Sequence, residues 1–181
     1  KNLWNDENSG YTDIRPESIT IKLLNGEFEE GKATITADEN GEWTYTFTDL
    51  PKYDAEGNEI QYTVVEVIDD NSPYKPNYNG GNAGWEITNN LKSGSLIIRK
   101  EVKGDVDSEK EYKFTITGPH NYKVEKTING AGNIEITNLV PGEYTVTEQD
   151  ADIDGYKWTV EGNGVTVNVV EDTVNGENAE Q

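Results

Sequence analysis

The sequence predicts an all-β chain built as two tandem antiparallel β-sandwiches. Three observations carry this. Short runs of alternating apolar and polar residues recur between turn signals, the period of two that sends alternate side chains to opposite sheet faces. No stretch sustains a helical period. The pentapeptide Tyr62-Thr63-Val64-Val65-Glu66 returns as Tyr144-Thr145-Val146-Thr147-Glu148, each copy after a loop signal, Thr48-Asp49-Leu50-Pro51 and Thr137-Asn138-Leu139-Val140-Pro141-Gly142. The repeat divides the 181 residues into expected domains 1–92 and 93–181.

In the first domain an acidic loop, Asn5 to Gly10, follows Lys1 to Trp4. Ser18 to Leu24 alternates as a strand and meets Asn25-Gly26, a strong hairpin signal. Lys32 to Ala37 and Glu42 to Phe47 read as further strands around Asp38-Glu39-Asn40-Gly41. Ile60 to Val67 holds the first repeat, Asn71 to Gly84 reads as a turn-rich loop, and Trp85 to Asn89 closes the domain. After Lys92-Ser93-Gly94, the second domain runs through Ser95 to Val102, Tyr112 to Thr117 and Tyr122 to Ile128. Asn133 to Thr137, Gly142 to Glu148, Tyr156 to Val160 and Val165 to Val170 complete it.

Composition narrows the function. Thirty-five acidic against 15 basic residues give a net charge of −20, which disfavours nucleic acid or an anionic membrane as partner, since phosphate binding needs a positive surface. With no Cys and one His, disulfides, Cys₂His₂ zinc sites and two-histidine sites are excluded. No apolar run reaches membrane-spanning length and no signal peptide or wall-sorting motif is present, so the chain reads as a fragment of something longer. No cofactor is expected. The informative oddity is a carboxylate on the apolar face: in each repeat Tyr, Val and Glu share one side of the strand. A buried ionised carboxylate is costly, so Glu66 and Glu148 require a partner or a proton.

The strings Trp4-Asn5-Asp6, Arg15-Pro16-Glu17-Ser18-Ile19, Trp43-Thr44-Tyr45-Thr46-Phe47-Thr48-Asp49-Leu50-Pro51-Lys52-Tyr53-Asp54, Gly57, Tyr62-Thr63-Val64 with Glu66, and Ile87-Thr88-Asn89 strongly resemble the Cna protein B-type domain of Gram-positive surface proteins and pilins. The second domain, with Gly94-Ser95-Leu96, Lys100 and Pro141 to Glu148, resembles a looser relative of that fold. The resemblance implies immunoglobulin-like or prealbumin-like sandwiches and a self-generated Lys–Asn isopeptide bond assisted by a buried Glu. The residue types suit the chemistry: a buried Lys sheds its proton and becomes a nucleophile, and a protonated Glu polarises the Asn carbonyl and shuttles protons as ammonia leaves.

Carried onto this chain, the resemblance makes Lys1 the nucleophile, Glu66 the proton shuttle and Asn89 the acceptor. Lys1 stands three residues before Trp4, whereas the family places its Lys two before; a β-bulge restores the facing, or Lys1 is a bystander. In the second domain Lys100 and Glu148 take the equivalent roles. No acceptor in the family motif follows Val170, so the second domain is expected to lack its final strand, which leaves an unlinked ion pair, or a link to Asn168; Asn175 also lies outside the motif.

The implied role is a stalk segment of a cell-wall-anchored, extracellular adhesin or pilin, self-crosslinking in a single turnover and otherwise no enzyme. Its partners are neighbouring domains of the same surface protein. The alternative is a binding module for a host extracellular matrix protein or glycan, for which exposed Tyr78 and Trp85 would speak. An acid–base hydrolase would need two carboxylates in an open cleft. Asp150, Asp152, Asp154 and Glu161, with Gly155 between, match EF-hand loop spacing. Strands rather than helices flank them and Lys157 sits at the apolar position, so an incidental acidic turn is the favoured reading. His120, beside Gly118-Pro119, reads as a loop residue.

Overall fold

A computed structural model describes residues 1–7, 9–11, 13–104, 109–149 and 164–172. The described residues hold twelve strands and no helix. They divide into two compact units. Unit 1 is Lys1–Glu7 with Arg15–Leu91, and unit 2 is Asn8–Ile14 with Lys92–Gln181. The division after Leu91 falls one residue from the expected boundary, but Asn8–Ile14, expected in the first domain, belongs to the second unit.

Unit 1 has six strands: β1 (Asn2–Asn5), β2 (Ile19–Asn25), β3 (Phe28–Ile35), β4 (Tyr62–Val67), β5 (Tyr74–Gly81) and β6 (Gly84–Leu91). They form two three-stranded sheets, β1-β6-β5 and β3-β2-β4. The β2–β3 hairpin closes at the Asn25↔Phe28 pair, with Gly26 at φ 59, a left-handed turn position where a missing Cβ removes the steric cost. Alternate residues Ile19, Ile21 and Leu23 of β2 are buried, with Ala33, Ile35, Trp43, Tyr62 and Ile87 from other elements. Phe47 and Val64 pack against both apolar clusters of this core.

Three expectations need correction here. The sheets are not wholly antiparallel: β1 pairs with β6 in parallel, Asn2↔Ile87 through Asn5↔Asn90. Tyr74–Gly81, expected as loop, pairs along its length with β6, because its turn residues ride an edge strand where their side chains face outward. Glu42–Phe47, expected as a strand, makes among the described residues only one bridge, Asn2↔Trp43. Alternation placed Trp43 inward, but Tyr45 in the same phase is 52% exposed.

Unit 2 has β7 (Gly94–Lys100), β8 (Glu111–Thr117), β9 (Lys123–Asn129), β10 (Gly132–Leu139), β11 (Gly142–Gln149) and β12 (Val165–Val169). Its sheets are β10-β7 and β12-β11-β8-β9, all antiparallel. Leu96, Ile98, Phe114, Ile116, Ile136, Leu139 and Tyr144 fill the core. Tyr144 donates its hydroxyl proton to the Val140 carbonyl at 2.8 Å, and the Val140 N–H donates to the Tyr11 hydroxyl at 2.6 Å. The Tyr11 and Tyr144 hydroxyls also share a hydrogen bond. This satisfies a turn that buries both Leu139 and Val140. The expected strand Tyr156–Val160 lies outside the described residues.

One polar clasp secures unit 1. The Asp6 carboxylate, at the end of β1, accepts from Arg15 Nε at 2.8 Å, Arg15 Nη2 at 2.5 Å and the Tyr74 hydroxyl at 2.5 Å. Trp4 packs edge-on against Trp43 and Tyr74 beside it. The Arg15 guanidinium holds the Asp6 carboxyl below its ordinary value, the Tyr74 bond adding to this and burial opposing it. A lowered folded-state pKa stabilises above the unfolded value and is lost as pH falls through the folded one. Arg15 is 46% exposed against 5% for Asp6, so solvent screening trims the gain. Asp6→Asn should cost about 1–2 kcal/mol at neutral pH. It should also flatten the acid limb of the unfolding-stability curve, read from urea melts across acidic pH; an unchanged limb would assign acid sensitivity elsewhere.

Candidate functional site

The repeated pentapeptide behaves as its period demands. On β4, Tyr62 and Glu66 are buried while Thr63 and Val67 are exposed, and Glu66 stands opposite Ile21 of β2. On β11, Tyr144 and Glu148 are buried while Thr147 is exposed, and Glu148 faces Phe114. Each unit therefore carries one carboxylate turned into its apolar interior, at 7% and 9% exposure.

In unit 1 the partner is Asn89 of β6, which has 0% exposure. Its Nδ2 donates to Glu66 Oε2 at 2.9 Å and to Asn2 Oδ1 at 3.1 Å. The Glu66 N–H donates to the Tyr78 hydroxyl at 3.0 Å. Burial pushes the Glu66 pKa up, and the Asn89 hydrogen bond takes back part of that rise. Asn89 Oδ1 is buried without a hydrogen-bond partner. A proton on Glu66 and that bare acceptor complement each other once the carboxamide rotates.

The structure brings Glu66 and Asn89 together but places Lys1 elsewhere. Lys1 is exposed; its α-amino group donates to the Trp85 carbonyl at 2.9 Å, and its carbonyl accepts from Ile87 N–H at 2.9 Å. Lys1 is one residue out of phase with Asn2, which is 4% exposed and occupies the inward position. The register supports the substitution. Asn2 pairs with Trp43 and Lys100 with Gly132. Trp43 and Gly132 each lie six residues before a left-handed residue, Asp49 at φ 60 and Asn138 at φ 58. Asn2 is thus the positional counterpart of Lys100. Sequence reasoning missed it, although its two-residue spacing to Trp4 was the available signal.

In unit 2, Lys100 Nζ donates to both Glu148 oxygens at 2.9 Å and lies 4.3 Å from the Tyr112 ring centroid. Side-chain exposures of 15% and 5% make this a largely buried pair. Asn168 is exposed on β12, opposite Glu143; it is not among the hydrogen-bond partners of Lys100. Asn175 and the loop Asp150, Asp152, Asp154 and Glu161 lie outside the described residues. Among the described residues no group of three or more His, Cys, Asp or Glu could hold a metal ion. His120 sits in the β8–β9 loop at φ 52. Tyr78 and Trp85 are half-buried, and Trp85 Nε1 donates inward to the Tyr62 carbonyl at 3.1 Å.

Residues 1–90 match the family model of the Cna protein B-type domain. The chain contains a Cna B-type domain. Residues 96–181 match a family described as a domain of unknown function (DUF5979). The Staphylococcus aureus collagen adhesin is 34% identical over 124 residues, 68% of this chain and 9% of that protein. Serine-aspartate repeat-containing protein F of Staphylococcus epidermidis is 26% identical over 202 residues, 91% of this chain and 11% of that protein. The chain spans only those shares of its relatives' length. A solved B repeat unit of the S. aureus collagen-binding surface protein is 26% identical, with 93% of this chain and 94% of that one covered and a TM-score of 0.39. Relatives of this Cna B-type chain are thus Gram-positive surface adhesins.

Glu66 gives the seam a pH signature. Its raised folded-state pKa contributes stability below the unfolded value, and that contribution is lost as pH rises through the folded one. Glu66→Gln keeps an uncharged acceptor there. It should remove this loss and raise the thermal midpoint at neutral pH by a few degrees, about 1 kcal/mol in a domain of this size. Parallel pH dependences for the two proteins would show Glu66 to be ionised throughout.

Proposed function

We propose that the chain is a load-bearing stalk segment of a Gram-positive cell-surface adhesin or pilin, extracellular and wall-anchored through its parent, with neighbouring domains of that parent as its partners. The observation that carries this is the parallel β1–β6 seam. Tension on Lys1 and Leu91 slides the first and last strands of unit 1 past one another. The ladder and the Asn2–Asn89–Glu66 cluster are then loaded together rather than peeled one bond at a time.

The covalent form of that seam is the finer question. In unit 1 the Lys1–Asn89 amide implied by the resemblance lacks a facing amine, since Asn2 fills the inward position. We assign this seam to hydrogen bonds. In unit 2, Lys100 and Glu148 provide an amine and a carboxylate in contact. A host-matrix role draws no support from Tyr78 and Trp85, whose rings are half-buried and whose polar atoms are engaged within the unit.

Intact mass with peptide mapping should find no ammonia lost at Asn89, whereas a Lys1–Asn89 branched peptide would overturn the assignment. Asn2→Lys should install the missing nucleophile. Its Nζ attacks Asn89 Cγ, the Nδ2 departs as ammonia, and the product loses that mass only while Glu66 is retained. For the mechanical role, Asn89→Ala should lower the force that unfolds unit 1 pulled from its two ends. An unchanged force would remove the seam from load-bearing.

A further inference from the structure

The segment Asn8–Ile14 interrupts the sequence of unit 1 and yet belongs to unit 2, so the chain passes between the units three times, at residues 7–8, 14–15 and 91–92. Within unit 1 the ends of these passages lie together. β1 and β6 run parallel as far as Asn5↔Asn90, where Asn5 Nδ2 donates to Asn90 Oδ1 at 2.8 Å. One residue on, the Asp6 carboxylate accepts from Arg15 Nε at 2.8 Å. The excursion between Asp6 and Arg15 thus leaves and re-enters unit 1 at one spot, beside the end of β6.

Tyr11 is the residue through which this excursion joins the core of unit 2. Its ring packs against that core, with 5.0 Å between its centroid and that of Tyr122. Its hydroxyl accepts from Val140 N–H at 2.6 Å and shares a hydrogen bond with the Tyr144 hydroxyl, contacts that span 129 and 133 residues of sequence. Gly10 at φ 79 and Asp13 at φ 55 bend the backbone on either side of it. Val140 is buried, so withdrawing Tyr11 takes away the partner of a buried N–H, a costly loss.

We infer that Tyr11 is a tether through which the folding of each unit supports the other. Seating Tyr11 joins positions 129 residues apart, and the entropy of that closure grows with the length of unstructured chain it must span. While unit 1 is folded, the connection runs from Tyr11 back to Asp6 and across the β1–β6 seam to Leu91. Once unit 1 unfolds, it runs through all of residues 15–91. A seated Tyr11 therefore makes unfolding of unit 1 costlier, and by linkage a folded unit 1 makes Tyr11 seat more firmly. The tether stands apart from the stalk reading, since it holds whatever load the parent carries.

Amide hydrogen exchange across the intact chain tests this, with Ile21 and Ile87 reporting on the core of unit 1 and Phe114 and Ile116 on that of unit 2. Tyr11→Ala should speed exchange at all four. At Ile21 and Ile87 the change should be about twentyfold, the factor for roughly three doublings of the closed loop. Tyr11→Phe, which keeps the ring and loses the hydroxyl bonds, should give the same pattern more weakly. Ile136→Ala, which opens the core of unit 2 without removing a Tyr11 hydrogen bond, should speed Phe114 and Ile116 and leave Ile21 and Ile87 unchanged. Unit 1 amides that keep their rates in both Tyr11 variants, or that quicken as much with Ile136→Ala, would overturn the tether. The Tyr11→Phe comparison decides the matter if Tyr11→Ala leaves unit 2 unfolded.

Discussion

A carboxylate on the inner face of a strand is the constraint around which both units are arranged. Leaving Glu66 or Glu148 charged and unpaired among Ile, Tyr and Phe would cost several kcal/mol, more than a domain of about ninety residues without disulfides can spare. The same strand register meets the same problem in two ways. Unit 1 sets a carboxamide, Asn89, against Glu66 and lets burial favour the neutral acid. Unit 2 sets an ammonium, Lys100, against Glu148. One position contributes directly, since Asn2 stands where the register of unit 2 has Lys100.

That equivalence changes how the polar core contributes to stability. A buried ion pair is stabilising only when geometry and further hydrogen bonds offset desolvation. The two 2.9 Å contacts and the Tyr112 ring face give Lys100 such surroundings. The cluster in unit 1, where burial favours the neutral acid, leaves Asn2 Nδ2 and Asn89 Oδ1 unmatched. Its seam therefore depends more on the neighbouring ladder and on Trp4 packed against Trp43 and Tyr74.

Much of this was legible in the chain before any coordinates. Alternation in Tyr62–Val67 and Gly142–Gln149 told which side chains turn inward, and the Ile87-Thr88-Asn89 string pointed to the residue that meets Glu66. Faces follow from a local period, which a sequence carries directly. Neighbours do not. The parallel β1–β6 pairing and the edge strand Tyr74–Gly81 both depend on which strand arrives alongside, information spread over tens of residues. Residue chemistry points to Lys1 and not to Asn2, yet a shift of one residue sends a side chain to the other sheet face.

Unit 1 also holds two carboxylates whose proton affinities are displaced in opposite directions, Asp6 downward by Arg15 and Glu66 upward by burial. As acidity increases, the clasp at the end of β1 weakens while the seam at Asn89 strengthens. Their windows do not overlap, since the Asp6 contribution is lost only below the ordinary Asp value and the Glu66 contribution only above the ordinary Glu value. The unit thus coheres best in the mildly acidic interval between them. Mild acidification from neutrality therefore tightens the seam at Asn89 before it loosens the clasp at Asp6, and acid weakening begins only once Asp6 takes up its proton.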